Sequence, residues 1–181
     1  MASAFHPTTG LSELDGVLHG VQPGDNIVWQ IESFAMYRAL VEPYAAAARR
    51  EGLHLIYFRF ADHPPLLDGV ETYRPDPAAG FDAFVDQVHT VIEAAGRETL
   101  YVFDCLSQLA DAWQSDRLLG NFFRLTCPRL LVLDTVTYFA VTRNRHSANT
   151  IARIRDTTQI LVDLYHVAGQ AYIHPLKVWD R

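Results

Sequence analysis

Short, mostly apolar runs that alternate with helical stretches constrain this chain more than any other feature. Residues 26–31, 54–60, 99–103 and 130–133 lack the apolar–polar alternation of a half-exposed strand. Such runs belong to a parallel sheet covered on both faces. Between them the spacing predicts helices. One spans 11–18, with Leu11, Leu14, Val17 and Leu18 on one side. A long one spans 34–51, with Arg49 and Arg50 in its last turn, Gly52 as its stop and Pro43 as an expected kink. Residues 81–95 carry a stripe of Phe81, Phe84, Val85, Val88 and Ile92, and further helical material surrounds 107–126 and 147–155. Residues 68–80, with Pro75, Pro77 and Gly80, read as an irregular excursion. The last two strand-like runs, 158–166 and 171–178, are separated by Val167-Ala168-Gly169-Gln170, a connection short enough to demand an antiparallel hairpin. The expectation is a three-layer α/β domain over 1–181 whose mostly parallel sheet ends in that hairpin.

Composition narrows the function classes. The 181 residues are 49% hydrophobic and 20% charged, which is globular rather than disordered composition. A net charge of −6 argues against a surface that coats nucleic acid or an anionic membrane. Cys105 and Cys127 are too few for a disulfide framework and have no zinc-ligand spacing, so both are expected to be reduced core thiols. The amino terminus has no basic region followed by an apolar stretch, and no long uncharged apolar run follows. A soluble, cytoplasmic protein is expected. The eight histidines form no HxxxH or HExxH pair, and the absence of a GxSxG elbow speaks against a Ser/His/Asp hydrolase.

Each expected parallel strand is followed by an acid: Glu32, Asp62, Asp104 and Asp134. Ligands of open α/β sheets bind outside the carboxyl ends of the strands, so these four acids should share that edge. Asp104 ends an apolar Tyr101-Val102-Phe103 run with Ser107 close behind, the way a magnesium-holding carboxylate is presented in phosphoryl-transfer enzymes. The alternative is that such acids cap helices or accept backbone N–H bonds.

The segment Thr8-Thr9-Gly10-Leu11-Ser12-Glu13-Leu14-Asp15-Gly16, followed by Gln22-Pro23-Gly24-Asp25, resembles the entry to a RecA-fold ATPase of the KaiC type. Tyr101-Val102-Phe103-Asp104-Cys105-Leu106-Ser107 resembles that family's second phosphate-site motif, and 157–177 is similar to its final antiparallel strands. More narrowly, the Pro23–Gln30 stretch and His174-Pro175-Leu176-Lys177-Val178 resemble the KaiC-like domain of phosphoenolpyruvate synthase and pyruvate phosphate dikinase relatives. The resemblance implies a RecA-like, P-loop NTPase type of fold and a nucleotide site built from Glu32, Ser33, Arg38, Asp62, Asp104, Ser107 and Asp134. It also implies a PEP/pyruvate-utilising catalytic domain or subunit as partner, or self-association. The chain ends directly after a strand, which suggests a domain of a longer parent or a split subunit.

The chemistry turns on what the sequence lacks. A GxxxxGK[ST] loop works because glycines let consecutive N–H groups wrap phosphate, lysine neutralises it and a hydroxyl holds magnesium. The corresponding Gln30-Ile31-Glu32-Ser33-Phe34-Ala35-Met36-Tyr37-Arg38 holds neither glycine nor lysine, and Lys177 is the only lysine of the chain. Glu32 brings the wrong sign: at an effective dielectric near 20, exchanging attraction for repulsion at ~4 Å reverses an interaction of roughly 4 kcal/mol. Where the family carries paired glutamates after the second strand, Ala61-Asp62 stands. A pseudo-ATPase without cofactor, regulatory or assembly-related in role, is therefore expected. The rivals are an atypical Mg-ATP-binding ATPase using Asp104 and Asp134, and nucleic-acid binding through Arg143, Arg145, His146, Arg153 and Arg155.

Overall fold

The computed structural model describes residues 5–180. The order of elements is α1 (Ser12–Val17), β1 (Asn26–Ile31), α2 (Phe34–Glu51), β2 (Leu55–Phe58), β3 (Glu71–Tyr73), a 3₁₀ turn (Pro77–Ala79), α3 (Phe81–Ala95), β4 (Leu100–Cys105), α4 (Ser107–Ala112), α5 (Asp116–Val132), β5 (Val136–Thr142), α6 (Ala148–Thr157), β6 (Ile160–Val167) and β7 (Gln170–Val178). The seven strands form one sheet in the order β3-β2-β4-β5-β1-β6-β7. Every neighbouring pair is parallel except β6 and β7, which form an antiparallel hairpin.

The continuous apolar strands are buried on both faces, as their sequence requires. On one side, Ile27, Trp29, Val102, Tyr138 and Val162 pack against Leu14 of α1 and Tyr37, Val41 and Tyr44 of α2. On the other, Val28, Phe58, Phe103 and Phe139 pack against Phe84 and Val88 of α3, Phe122 and Phe123 of α5, and Ile154 of α6. The result is a three-layer α/β arrangement. The tightest aromatic contact joins α2 to β5: the Tyr44 and Tyr138 rings stack 4.0 Å apart, and Trp29 meets Tyr138 edge-on at 5.3 Å. Such pairs add about 0.5–1.5 kcal/mol each beyond their buried area.

Helix α2 runs unbroken through Pro43, between the Ser33 N-cap and left-handed Gly52. Gly10, at φ +81°, lies against that proline: a Cβ there would sit 2.2 Å from the Pro43 carbonyl oxygen, so only glycine fits.

Two expectations are corrected. The 68–80 excursion contains β3, a three-residue parallel strand at the sheet edge. The run 130–133 is not a strand but the end of α5, which continues past Pro128. Leu130 is buried while Leu131 and Val132 face solvent, the pattern of one helical stripe. The strand is β5, richer in β-branched and aromatic residues. Asp134 consequently precedes its strand and lies at the amino edge of the sheet, outside the candidate site. It pairs there with Arg97.

Candidate functional site

The carboxyl edge of the sheet brings together Glu32 and Ser33 after β1, Asp62 after β2, Asp104 and Ser107 at the end of β4, and Arg143 after β5. Glu32 and Ser33 are the whole connection between β1 and α2. Ser33 caps the helix, its hydroxyl accepting from the Met36 N–H. A loop of two residues cannot wrap successive amides around a phosphate.

Glu32 is tied down by its surroundings. Its carboxylate accepts the His166 backbone N–H at 2.9 Å, lies 3.2 Å from that residue's ring Nδ1, and stands 3.5 Å from the Arg143 guanidinium. The His166 N–H above all, against a smaller opposing effect of burial, holds its carboxyl below the usual range. Arg143 donates to Asp163 at 2.8 Å and covers the Tyr165 ring at 4.6 Å. The Asp163 hydrogen bond is the main reason its guanidinium is even harder to deprotonate than usual.

Asp104 is sealed. One carboxylate oxygen accepts the Tyr57 hydroxyl, and the other accepts the Phe60 and Ala61 N–H groups, each at 2.9 Å. His63 Nε2 lies 3.5 Å from Asp104 Oδ1, while its Nδ1 meets the Pro64 carbonyl at 2.8 Å. A carbonyl only accepts, so Nδ1 carries a proton. The Phe34 ring packs tilted against His63, centroids 4.4 Å apart. Burial first, then the Asp104 charge, pushes the Tyr57 phenol up. The Tyr57 oxygen also accepts the Leu66 N–H, so Asp104 and Tyr57 together fasten the segment from Phe60 to Leu66 over the sheet edge. A magnesium ligand needs an oxygen that the ion can reach at about 2.1 Å, and the Asp104 side chain is wholly buried.

Asp62 is exposed. Its N–H donates to Gln108 Oε1 at 2.9 Å, and its side chain borders an open cavity of about 630 Å³ together with Phe60, Asp76, Gln108 and Asp111. Arg38 points elsewhere, to the Pro65 carbonyl and Glu42. Among the described residues no group of three or more His, Cys, Asp or Glu side chains is arranged to hold a metal ion.

Sequence reasoning missed one constellation. Ser107 Oγ lies 2.6 Å from His146 Nε2, and His146 Nδ1 lies 2.5 Å from Asp116 Oδ1. The connectivity is that of a nucleophilic relay. It is closed to chemistry as it stands: the Ser107 hydroxyl accepts the Thr142 N–H at 2.7 Å, and Ser107 and the His146 ring are buried. The chain instead ties the starts of α4, α5 and α6 to the end of β5. Burial works against the Asp116 charge, but hydrogen bonds from Ser147, Thr150 and His146 outweigh it and hold the carboxyl at about 2. Nothing in local sequence announces it, since the three residues come from three separate segments.

The arginine-rich segment is partly neutralised. Arg143 pairs with Asp163 and Glu32, Arg145 with Asp111, and Arg153 bonds Asn121. His146 belongs to the buried relay, while Arg145 and Arg155, the latter 4.0 Å from Asp156, are exposed. No protein-family model matches the chain, and no curated protein is significantly similar to it.

Proposed function

We propose that this chain is a pseudo-ATPase: a degenerate KaiC/RecA-like domain that works by regulation or assembly and not by phosphoryl transfer. One observation carries the reading. The two-residue connection after β1 replaces the anion cradle such an enzyme needs, and its acid is held in place by His166 and Arg143. The order of the sheet, with β1 between β5 and β6 and a closing antiparallel hairpin, supports the RecA-like part. The enclosed Asp104 weighs against an atypical magnesium site, and the paired arginines weigh against nucleic acid.

The link to a PEP/pyruvate-utilising phosphotransferase rests on the resemblance of 23–30 and 174–178 alone. The two free, buried cysteines support a reducing, cytoplasmic setting, and among the described residues no helix is long and apolar enough to cross a membrane. Thermal unfolding with and without MgATP tests the proposal. A ligand at about 100 times its dissociation constant stabilises by ~2.7 kcal/mol, so an unchanged midpoint at millimolar MgATP is the expected result. A rise of several degrees would refute it.

A further inference from the structure

The two edges of the sheet are built differently. β3 is three residues long and is followed closely by Pro75 and Pro77, the ordinary protection of an edge. β7 is nine residues long and, among the described residues, pairs on one side only, with β6. Its carboxyl half is protected: Pro175 lacks an N–H, Leu176 is the extra residue where the register with β6 shifts, and Lys177 is drawn onto the carbonyls of Arg155 and Thr158. Its amino half, Gln170-Ala171-Tyr172-Ile173-His174, has no such device.

That half also leaves apolar surface in water. Burial fades along the hairpin, from Ile160–Val162 inside to an exposed tip. Val167, Tyr172 and Ile173 are all exposed, with Leu176 and Trp179 beyond them. Tyr172 lies directly opposite Tyr165, the two rings stacked at 5.6 Å, and the Arg143 guanidinium lies 4.6 Å from the Tyr165 ring centre. Ile173 faces Leu164 on the opposite side of the sheet.

The geometry points to a second copy of this chain as the occupant of that edge, in an antiparallel β7–β7 pair centred on Tyr172. The inference rests on the assembly role proposed above and names its surface. A two-fold axis brings a patch against itself, so any net charge on the patch would face its like. In a chain of net charge −6, the amino half of β7 carries neither Asp, Glu, Lys nor Arg. A partner chosen by charge has nothing there to grip, whereas an identical strand meets no repulsion. Sizes complement as well. Centring on Tyr172 sets Ala171 opposite the second copy's Ile173 and Gln170 opposite its His174. The two Tyr172 rings then meet between the two Tyr165 rings, giving a ladder of four tyrosines. Cross-strand aromatic pairs of this kind are favourable contacts of an antiparallel sheet. Pairing ends before Pro175, where a donor is missing.

Sedimentation velocity of the full chain, without nucleotide, from low micromolar to submillimolar concentration tests this. The expected result is a monomer–dimer equilibrium that Tyr172→Glu weakens by about tenfold or more, because two carboxylates would face each other, while Val132→Glu on exposed α5 leaves it unchanged. Amide exchange of the unmutated chain guards against a misfolded variant: protection at 170–174 should rise with concentration. A monomer throughout, or a dimer indifferent to Tyr172→Glu with no added protection at 170–174, would overturn the inference. Neither result bears on nucleotide binding, so the pseudo-ATPase reading stands or falls separately.

Discussion

The carboxylate of Glu32 accepts the backbone N–H of His166 at 2.9 Å and so joins the turn after β1 to the end of β6. A turn that binds phosphate at a helix start presents donors to the anion. Here it presents an acceptor to the protein's own donors. The contact is therefore both a structural tie and the reason a phosphate would meet negative charge.

The tie should titrate. The folded state holds the Glu32 carboxyl below its ordinary value of 4.5. A depressed folded pKa contributes stability that is present above the unfolded value and lost as pH falls through the folded one. Thermal midpoints of the native chain and Glu32→Gln should differ near neutrality, and the difference should shrink as pH falls below the ordinary 4.5. A difference that persists or grows in acid would contradict the assignment.

Asp116 gives a second acid-sensitive contact. Its carboxyl sits at about 2 against an ordinary 3.8, so its stabilisation is complete above pH 4 and disappears toward pH 2. Replacing it with Ala strips the Ser147 N–H of its acceptor and leaves Nδ1 of the buried His146 ring without a partner. The expected loss is about 1–3 kcal/mol at neutral pH, read by urea unfolding.

Asp104→Ala distinguishes a structural carboxylate from a metal ligand. Removing it orphans the Tyr57 hydroxyl and the Phe60 and Ala61 N–H groups in a sealed environment. A loss of about 3–5 kcal/mol is expected, with faster proteolysis between Phe60 and Leu66. A variant as stable as the parent would contradict the anchoring role.

Gly10→Ala tests the contact beneath α2. The added methyl meets the Pro43 carbonyl, and the residue must keep φ at +81°. The two penalties together predict roughly 2–4 kcal/mol of destabilisation in chemical denaturation.

Much of this architecture can be read from residues alone, for identifiable reasons. Buried parallel strands such as β1 and β4 carry apolar stretches without alternation, Ile27-Val28-Trp29 and Leu100-Tyr101-Val102-Phe103, and the two-residue Ala168-Gly169 link leaves β6 and β7 no choice but a hairpin. The end of α5 misleads because Leu-Leu-Val-Leu followed by Asp134 fits a buried strand as well as one helical turn, and length alone did not separate them. β3 is too short and too polar to announce itself; it exists because β2 offers it an edge. At the candidate site, Glu32 and Asp104 are legible as acids at strand ends. Their partners are not, since His166, Arg143, Tyr57 and His63 arrive from other elements. The Ser107–His146–Asp116 relay is the extreme case, being tertiary in every contact.

The most direct test of the central claim is isothermal titration of MgATP into the full chain at neutral pH and low salt. A two-residue β1–α2 connection closed by Glu32 predicts no heat beyond dilution up to millimolar nucleotide. A saturable isotherm with micromolar affinity would contradict it.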